Sequence, residues 1–256
     1  MRSTMSSIRP GPYITRLLIV ICGLFLFATG TVFTYRSQLG LGPWNVLQLG
    51  ISLHTPLSLG TATMLIGALI IVCNLCLKVY PGVGTLLNML LIGPFVDMQL
   101  RLHWLPDLGN SPWPLRLLVN VAGVLLVGLG TALYITPRLG AGPRDGLMLR
   151  LHTLTRLPIA AIRIILECTV LVLGFLLGGT VGIGTLIFAF GAGPAVQAAF
   201  ALTGCLHLSG WLQVDSKPPM LSTSARDSEK EHEPATALST DRPLPTNVTN
   251  KQGYDG

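Results

Sequence analysis

Charge is what this chain has least of. Only 11% of its 256 residues are Asp, Glu, Lys or Arg, against about a quarter in an ordinary soluble domain. That scarcity excludes the water-soluble globular class. Signatures of catalysis are missing too: there is no H-E-x-x-H, no P-loop, no Rossmann fingerprint and no G-x-S-x-G. With neither a nucleophile constellation nor a metal cluster, nothing supports an enzyme, and no metal or cofactor is expected. Cysteine does not fill the gap. Cys22, Cys73, Cys76, Cys168 and Cys205 all lie inside apolar runs, where cysteine behaves as a small hydrophobe. Cys73 and Cys76 spell C-x-x-C, but no second pair or nearby His completes a metal site.

What is present is apolar. Half of the residues are hydrophobic, and several runs reach the roughly 20 residues that a bilayer core demands of a helix. The expected class is therefore an all-α polytopic membrane protein whose first partner is the lipid bilayer. The 29 glycines and 18 prolines agree, since both are commoner in membrane helices than in soluble ones. Net charge is +6, with the basic residues in caps and loops, which fits topology-setting arginines and not nucleic-acid binding.

The chain also repeats itself. Leu39-Gly40-Leu41-Gly42-Pro43-Trp44-Asn45 returns one hundred positions later as Leu139-Gly140-Ala141-Gly142-Pro143-Arg144-Asp145. Arg16-Leu17-Leu18, Gly82-Val83-Gly84-Thr85-Leu86 and Gly93-Pro94 recur at the same offset, and about a quarter of the paired positions are identical. Such periodicity is the mark of a tandem duplication. Residues 1–13 read as an N-terminal segment, 14–101 as the first membrane repeat, 102–114 as a connector and 115–206 as the second repeat. Residues 214–256, rich in Ser, Thr, Pro, Lys and Glu, read as a disordered polar tail. The run 14–35 is too long for a signal core, and its glycines recur in the second copy, so it reads as a spanning helix.

Each repeat holds three candidate spans plus one shorter segment. The segments after G-x-G-P, 43–54 and 143–154, have about 12 residues at about 1.5 Å rise, near 18 Å against a core of about 30 Å. They are half-helices, re-entrant or interfacial. Asn45, Gln48 and Ser52 share one face of the first, and such a face ordinarily meets water or headgroups. Three spans per copy would insert the second copy upside down. With the N-terminus in the cytoplasm, inner segments hold Arg2, Arg9, Arg16, Lys78, Arg138, Arg144, Arg150, Arg156 and Arg163, and outer segments only Arg36, Arg101 and Arg116. The positive-inside rule then favours inverted repeats with both termini cytoplasmic, over a parallel duplication of four spans each.

Inverted repeats with broken helices are a recurring plan of secondary transporters, which bind solute near the repeat interface. The candidate substrate-binding residues are Gly42, Pro43, Asn45, Gly142, Pro143, Arg144, Asp145 and Glu167. Glu167 is an ionisable residue in mid-span with Arg163 one turn earlier. Asn45 and Asp145 can also cap their helices, the plainer role. Asp97, near the end of the third span, reads as an interfacial carboxylate.

At residues 40–45, 81–86 and 140–147 the chain resembles the YczE/YitT-type integral membrane proteins of bacteria. Members of the YczE branch carry a G-x-G-P-W-[DN] loop, a P-G-x-G-T-L element and a second G-x-G-P-R-D-G-L loop. The likeness covers about residues 14–205. It implies a multi-pass protein of the bacterial inner (plasma) membrane and supplies no substrate or catalytic residue. The functional expectation is a small transporter or permease of unknown substrate, working as a homodimer. The alternative is a non-transporting membrane scaffold or accessory subunit.

Overall fold

The computed structural model describes residues 12–205, all within one compact unit. The expectations for residues 1–11 and for the tail 214–256 fall outside the described residues.

Among the described residues eight helices follow one another: α1 (Tyr13–Arg36), α2 (Pro43–His54), α3 (Leu59–Cys76), α4 (Val83–Arg101), α5 (Trp113–Ile135), α6 (Pro143–Thr155), α7 (Ile159–Leu176) and α8 (Ile183–Cys205). Among the described residues there is no strand. Six helices, all but α2 and α6, are long and apolar enough to cross a membrane. The helices begin at 13, 43, 59 and 83, and again at 113, 143, 159 and 183. Proline sits in the first turn of both short helices, where its fixed φ suits the helix and its missing N–H costs nothing. The connector is shorter than expected. Pro112 caps α5 and Pro114 follows in its first turn, so Trp113 belongs to the helix.

The centre of the bundle is α1 against α5. Val20, Leu24 and Ala28 of α1 are completely buried. Glycines let the two backbones touch: a methyl on Gly30 would lie 2.5 Å from the Gly123 carbonyl, and one on Gly130 would lie 2.6 Å from that of Gly23. Gly23 thus meets Gly130 while Gly30 meets Gly123, so the two helices run antiparallel. Close approach of this kind is how helices associate where lipid removes the hydrophobic drive.

Around this pair, each G-x-G-P loop grips the other half of the chain. The Gly184 N–H donates to the Leu39 carbonyl and the Gly84 N–H to the Leu139 carbonyl, both at 2.8 Å. Gly40 and Gly140 hold φ of +112° and +133°, which an L side chain adopts only under strain. Two arginines lock the same turns crosswise. Arg16 donates to the Pro137 carbonyl, and Arg116 Nε donates to the Ser37 carbonyl at 2.9 Å. From sequence these arginines read as topology markers only.

One seam differs between the halves. α3 packs directly on α4, where a β-carbon on Gly60 or Gly93 would strike the other's carbonyl. α7 has at most marginal contact with α8, and a β-carbon on Gly193 would meet nothing within 4 Å. The cysteines also depart from expectation: Cys22, Cys73, Cys76 and Cys168 are free and exposed on helix surfaces, not buried. In an apolar helix with few charges, the outward face is as hydrophobic as the inward one, so hydropathy alone could not assign them.

The Gly140→Ala substitution places a methyl 2.8 Å from Thr85 Oγ1 in a backbone region that disfavours it. It is expected to destabilise by about 1–3 kcal/mol, read as a lower thermal midpoint of purified protein in detergent. Gly109→Ala, whose nearest contact would be 3.4 Å, is expected to leave that midpoint unchanged.

Candidate functional site

The tips of the two short helices meet. Trp44 and Arg144 occupy the same place in the two G-x-G-P loops, and the Arg144 guanidinium carbon lies 4.7 Å from the Trp44 ring centroid. A guanidinium over an aromatic face is attracted by the ring quadrupole. Beside this contact opens a cavity of about 370 Å³. Its polar wall includes Tyr134, Arg144, Asp145, Arg163, Glu167 and Gln197. Its apolar wall includes Phe27, Trp44, Met148 and Phe188.

Of the residues proposed from sequence, Pro43, Gly142, Pro143, Arg144, Asp145 and Glu167 line this cavity. Gly42 does not, but a methyl there would strike the Phe188 ring at 2.7 Å, so its lack of a side chain seats one cavity wall. Asn45 instead lines a second and smaller cavity of about 30 Å³ with Gln48, Thr63 and Asn88, which shares Pro143 and Arg144 with the large one. The polar face of α2 therefore does not meet water as expected: Asn45 is 6% exposed and Gln48 1%. Gln48 Oε1 accepts from the Thr63 hydroxyl at 3.0 Å, which satisfies it inside the bundle.

The two cavities are lined by residues one hundred positions apart. Asn45, Gln48, Thr63 and Gly67 in the small one correspond to Asp145, Met148, Arg163 and Glu167 in the large one. The first set is small or neutral and tightly packed, with room for about one water molecule. The second carries the charges.

Those charges are unequally partnered. Arg163 Nε donates to Glu167 Oε1 at 2.9 Å, the one ion pair among the described residues, with side chains 47% and 27% exposed. The one-turn spacing that suggested this pair is therefore realised. Among the described residues, no carboxylate oxygen lies within 4.0 Å of the Arg144 guanidinium. Asp145 turns back on its own helix start: a methyl on Gly142 would lie 3.4 Å from Asp145 Oδ2 and 3.0 Å from the Tyr134 hydroxyl. A carboxylate at that end of a helix is favoured by the dipole.

Asp97 has a role that sequence reading missed. Its Oδ1 accepts the Gly60 N–H at 2.9 Å and its Oδ2 accepts the Ser58 hydroxyl, so it caps α3 from the end of α4. Ser58 in turn accepts the Thr61 N–H at 3.1 Å. The signal was there in Ser58 just before an apolar run, an N-cap residue, but its partner 39 residues on was not legible. One hundred positions later stand Pro158 and Gln197, which cannot make this cap. Gln197 faces the large cavity instead. That difference gives the first seam a tie that the second lacks.

Comparison with known proteins agrees with the residues that suggested a relationship. The profile of a family of unknown function, DUF6198, matches residues 14–200. This chain belongs to that family. An uncharacterized protein of Haemophilus influenzae is 40% identical over 179 residues, 70% of this chain and 80% of the relative. The uncharacterized membrane protein YczE of Bacillus subtilis is 34% identical over 197 residues, 76% of this chain and 89% of that protein. YyaS of Bacillus subtilis, also uncharacterized, is 29% identical over 170 residues, 64% and 82% of the two chains. No solved structure matches. The chain is a membrane protein with several apolar helices, as the name of the YczE relative also says.

Asp97→Ala removes the cap on α3 and is expected to lower stability by about 1–2 kcal/mol, measured by thermal unfolding in detergent. Gln197→Ala, at the corresponding position, is expected to shift the midpoint by less than a third as much.

Proposed function

We propose that this protein is a small-solute transporter of the bacterial inner membrane, made of two inverted copies that open in turn. The observation carrying this reading is the unequal pair of seams. Cavities with corresponding linings are closed in one half, where Gly60 and Gly93 clasp, and open in the other, where Gly193 faces empty space. Two copies of one sequence held in two arrangements are what an alternating-access protein requires, since exchange of the arrangements presents the site to the other side. The antiparallel α1–α5 pair supports the inverted orientation, and the arginine distribution supports cytoplasmic termini. The large cavity draws on the C-terminal half of α5, the N-terminal half of α7 and the middle of α8. On this orientation the α5 and α7 parts lie toward the cytoplasm, so the described state faces inward. Short helices that do not span are tolerated at membrane depth where they line such a cavity. A non-transporting scaffold is the competing reading, and it requires no exchange.

Thr31 and Thr131 distinguish the two. Thr31 is 3% exposed on α1, whereas Thr131 lines the open cavity. In a background without the native cysteines, Thr131→Cys is expected to react with a membrane-impermeant thiol reagent from the cytoplasmic side. Thr31→Cys is expected to react more slowly and from the outer side, as the first seam opens. A β-carbon on Gly67 would lie 3.5 Å from Met89 Cβ, within the range of a disulfide. A Gly67→Cys/Met89→Cys cross-link is therefore expected to hold that seam shut, abolishing labelling at Thr31→Cys until reductant is added. Thr31→Cys that stays inert in membranes, with and without the cross-link, would sink the transport reading.

A further inference from the structure

The charges in the large cavity restrict what it can hold. Arg144 and Arg163 oppose Asp145 and Glu167, so the four sum to zero. Arg163 and Glu167 already neutralise each other at 2.9 Å. That leaves one cation and one anion, Arg144 and Asp145, adjacent in the chain, both on the cavity wall, and joined by no ion pair. Neither the guanidinium nor the carboxylate has a side-chain hydrogen-bond partner among the described residues, apart from the turn of Asp145 toward Gly142. Trp44 holds the guanidinium from one side, and the guanidinium lies on the cavity wall. A planar fork of this kind matches a carboxylate.

Each simple class of ligand leaves something unmet. An anion would pair with Arg144 and be repelled by Asp145. A cation would pair with Asp145 and be repelled by Arg144. A neutral apolar molecule would bury Arg144 and Asp145 without partners, which is costly in a site with apolar walls. A molecule carrying both charges on neighbouring atoms satisfies both groups at once. The rest of the wall, Phe27, Trp44, Met148 and Phe188, is suited to an apolar substituent. The volume, about 370 Å³, falls at the small end of ligand sites, which run from about 300 to 1,000 Å³.

We propose that the large cavity binds a small zwitterion with an apolar side group, its carboxylate on Arg144 and its ammonium group on Asp145. This inference rests on the transporter reading for the same site, and the zwitterion is the transported solute.

Calorimetric titration of the purified full-length protein in detergent tests it without requiring transport. The probes are L-leucine and L-phenylalanine as zwitterions, L-phenylalaninamide as the cation and N-acetyl-L-phenylalanine as the anion. At least one zwitterion is expected to bind about tenfold or more tightly than either singly charged analogue, because each analogue leaves one charge unpaired. Arg144→Gln is expected to shift the preference to the amide, and Asp145→Asn to shift it to the N-acetyl derivative. Arg144→Lys keeps the charge and is expected to keep the zwitterion preference, so a general loss of fold is not mistaken for loss of the site. Equal binding of all four probes, binding of the anion alone, or binding of none overturns the proposal. Each of these results is independent of the Thr31→Cys labelling, which decides whether the seams exchange.

Discussion

The hydrogen bonds from Gly84 to the Leu139 carbonyl and from Gly184 to the Leu39 carbonyl bind the two halves crosswise. Each loop leaves its own half and is held by the turn of the other, so neither half completes its G-x-G-P element alone. Gly40 and Gly140 supply the left-handed backbone that lets the loop bend into that turn. Arg116 and Arg16 then fill the carbonyls of Ser37 and Pro137. Backbone groups that are buried without a partner are costly, and this mutual satisfaction removes that cost for both loops. The placement of α2 and α6, and therefore the contact of Trp44 with Arg144, follows from it.

The difference between the halves has a local cause. Asp97 joins the end of α4 to the start of α3, and the glycines at 60 and 93 let the backbones close beneath that tie. In the second half, Pro158 offers no hydroxyl, Gln197 faces the cavity, and Glu167 stands where Gly67 packs on Met89. A charged side chain in place of a glycine keeps the seam apart both by volume and by its need for polar surroundings. The paired Arg163 lowers the cost of placing that carboxylate in an apolar helix.

These features converge on one small region. The helix tips, the four charges and the aromatic walls share one cavity, and several other polar groups of the bundle fasten its parts together. Asn120 donates to Ser37 Oγ at 2.9 Å, Asn74 to the Pro143 carbonyl at 2.8 Å, and Thr85 to the Ala141 carbonyl at 2.6 Å. Some polar residues inside the spans thus fasten helices and loops, and others face open space. Arg144 is the clearest member of the second set.

Much of the architecture was legible in the chain itself. The six long apolar runs and the two short segments begun by proline depend on composition, length and local backbone chemistry, which one sequence carries in full. The i,i+4 pairing of Arg163 with Glu167 is local in the same sense. What the sequence could not reveal was which polar residues are satisfied and by whom. Asn45 and Gln48 share a face that looks solvent-bound until α3 covers it. Asp97 resembles any interfacial carboxylate until Ser58 and Gly60 arrive beneath it. The cysteines look buried because every face of an apolar helix looks buried. Periodicity tells that a residue lies on a face, and only the tertiary arrangement decides what that face meets, because the partners come from distant parts of the chain.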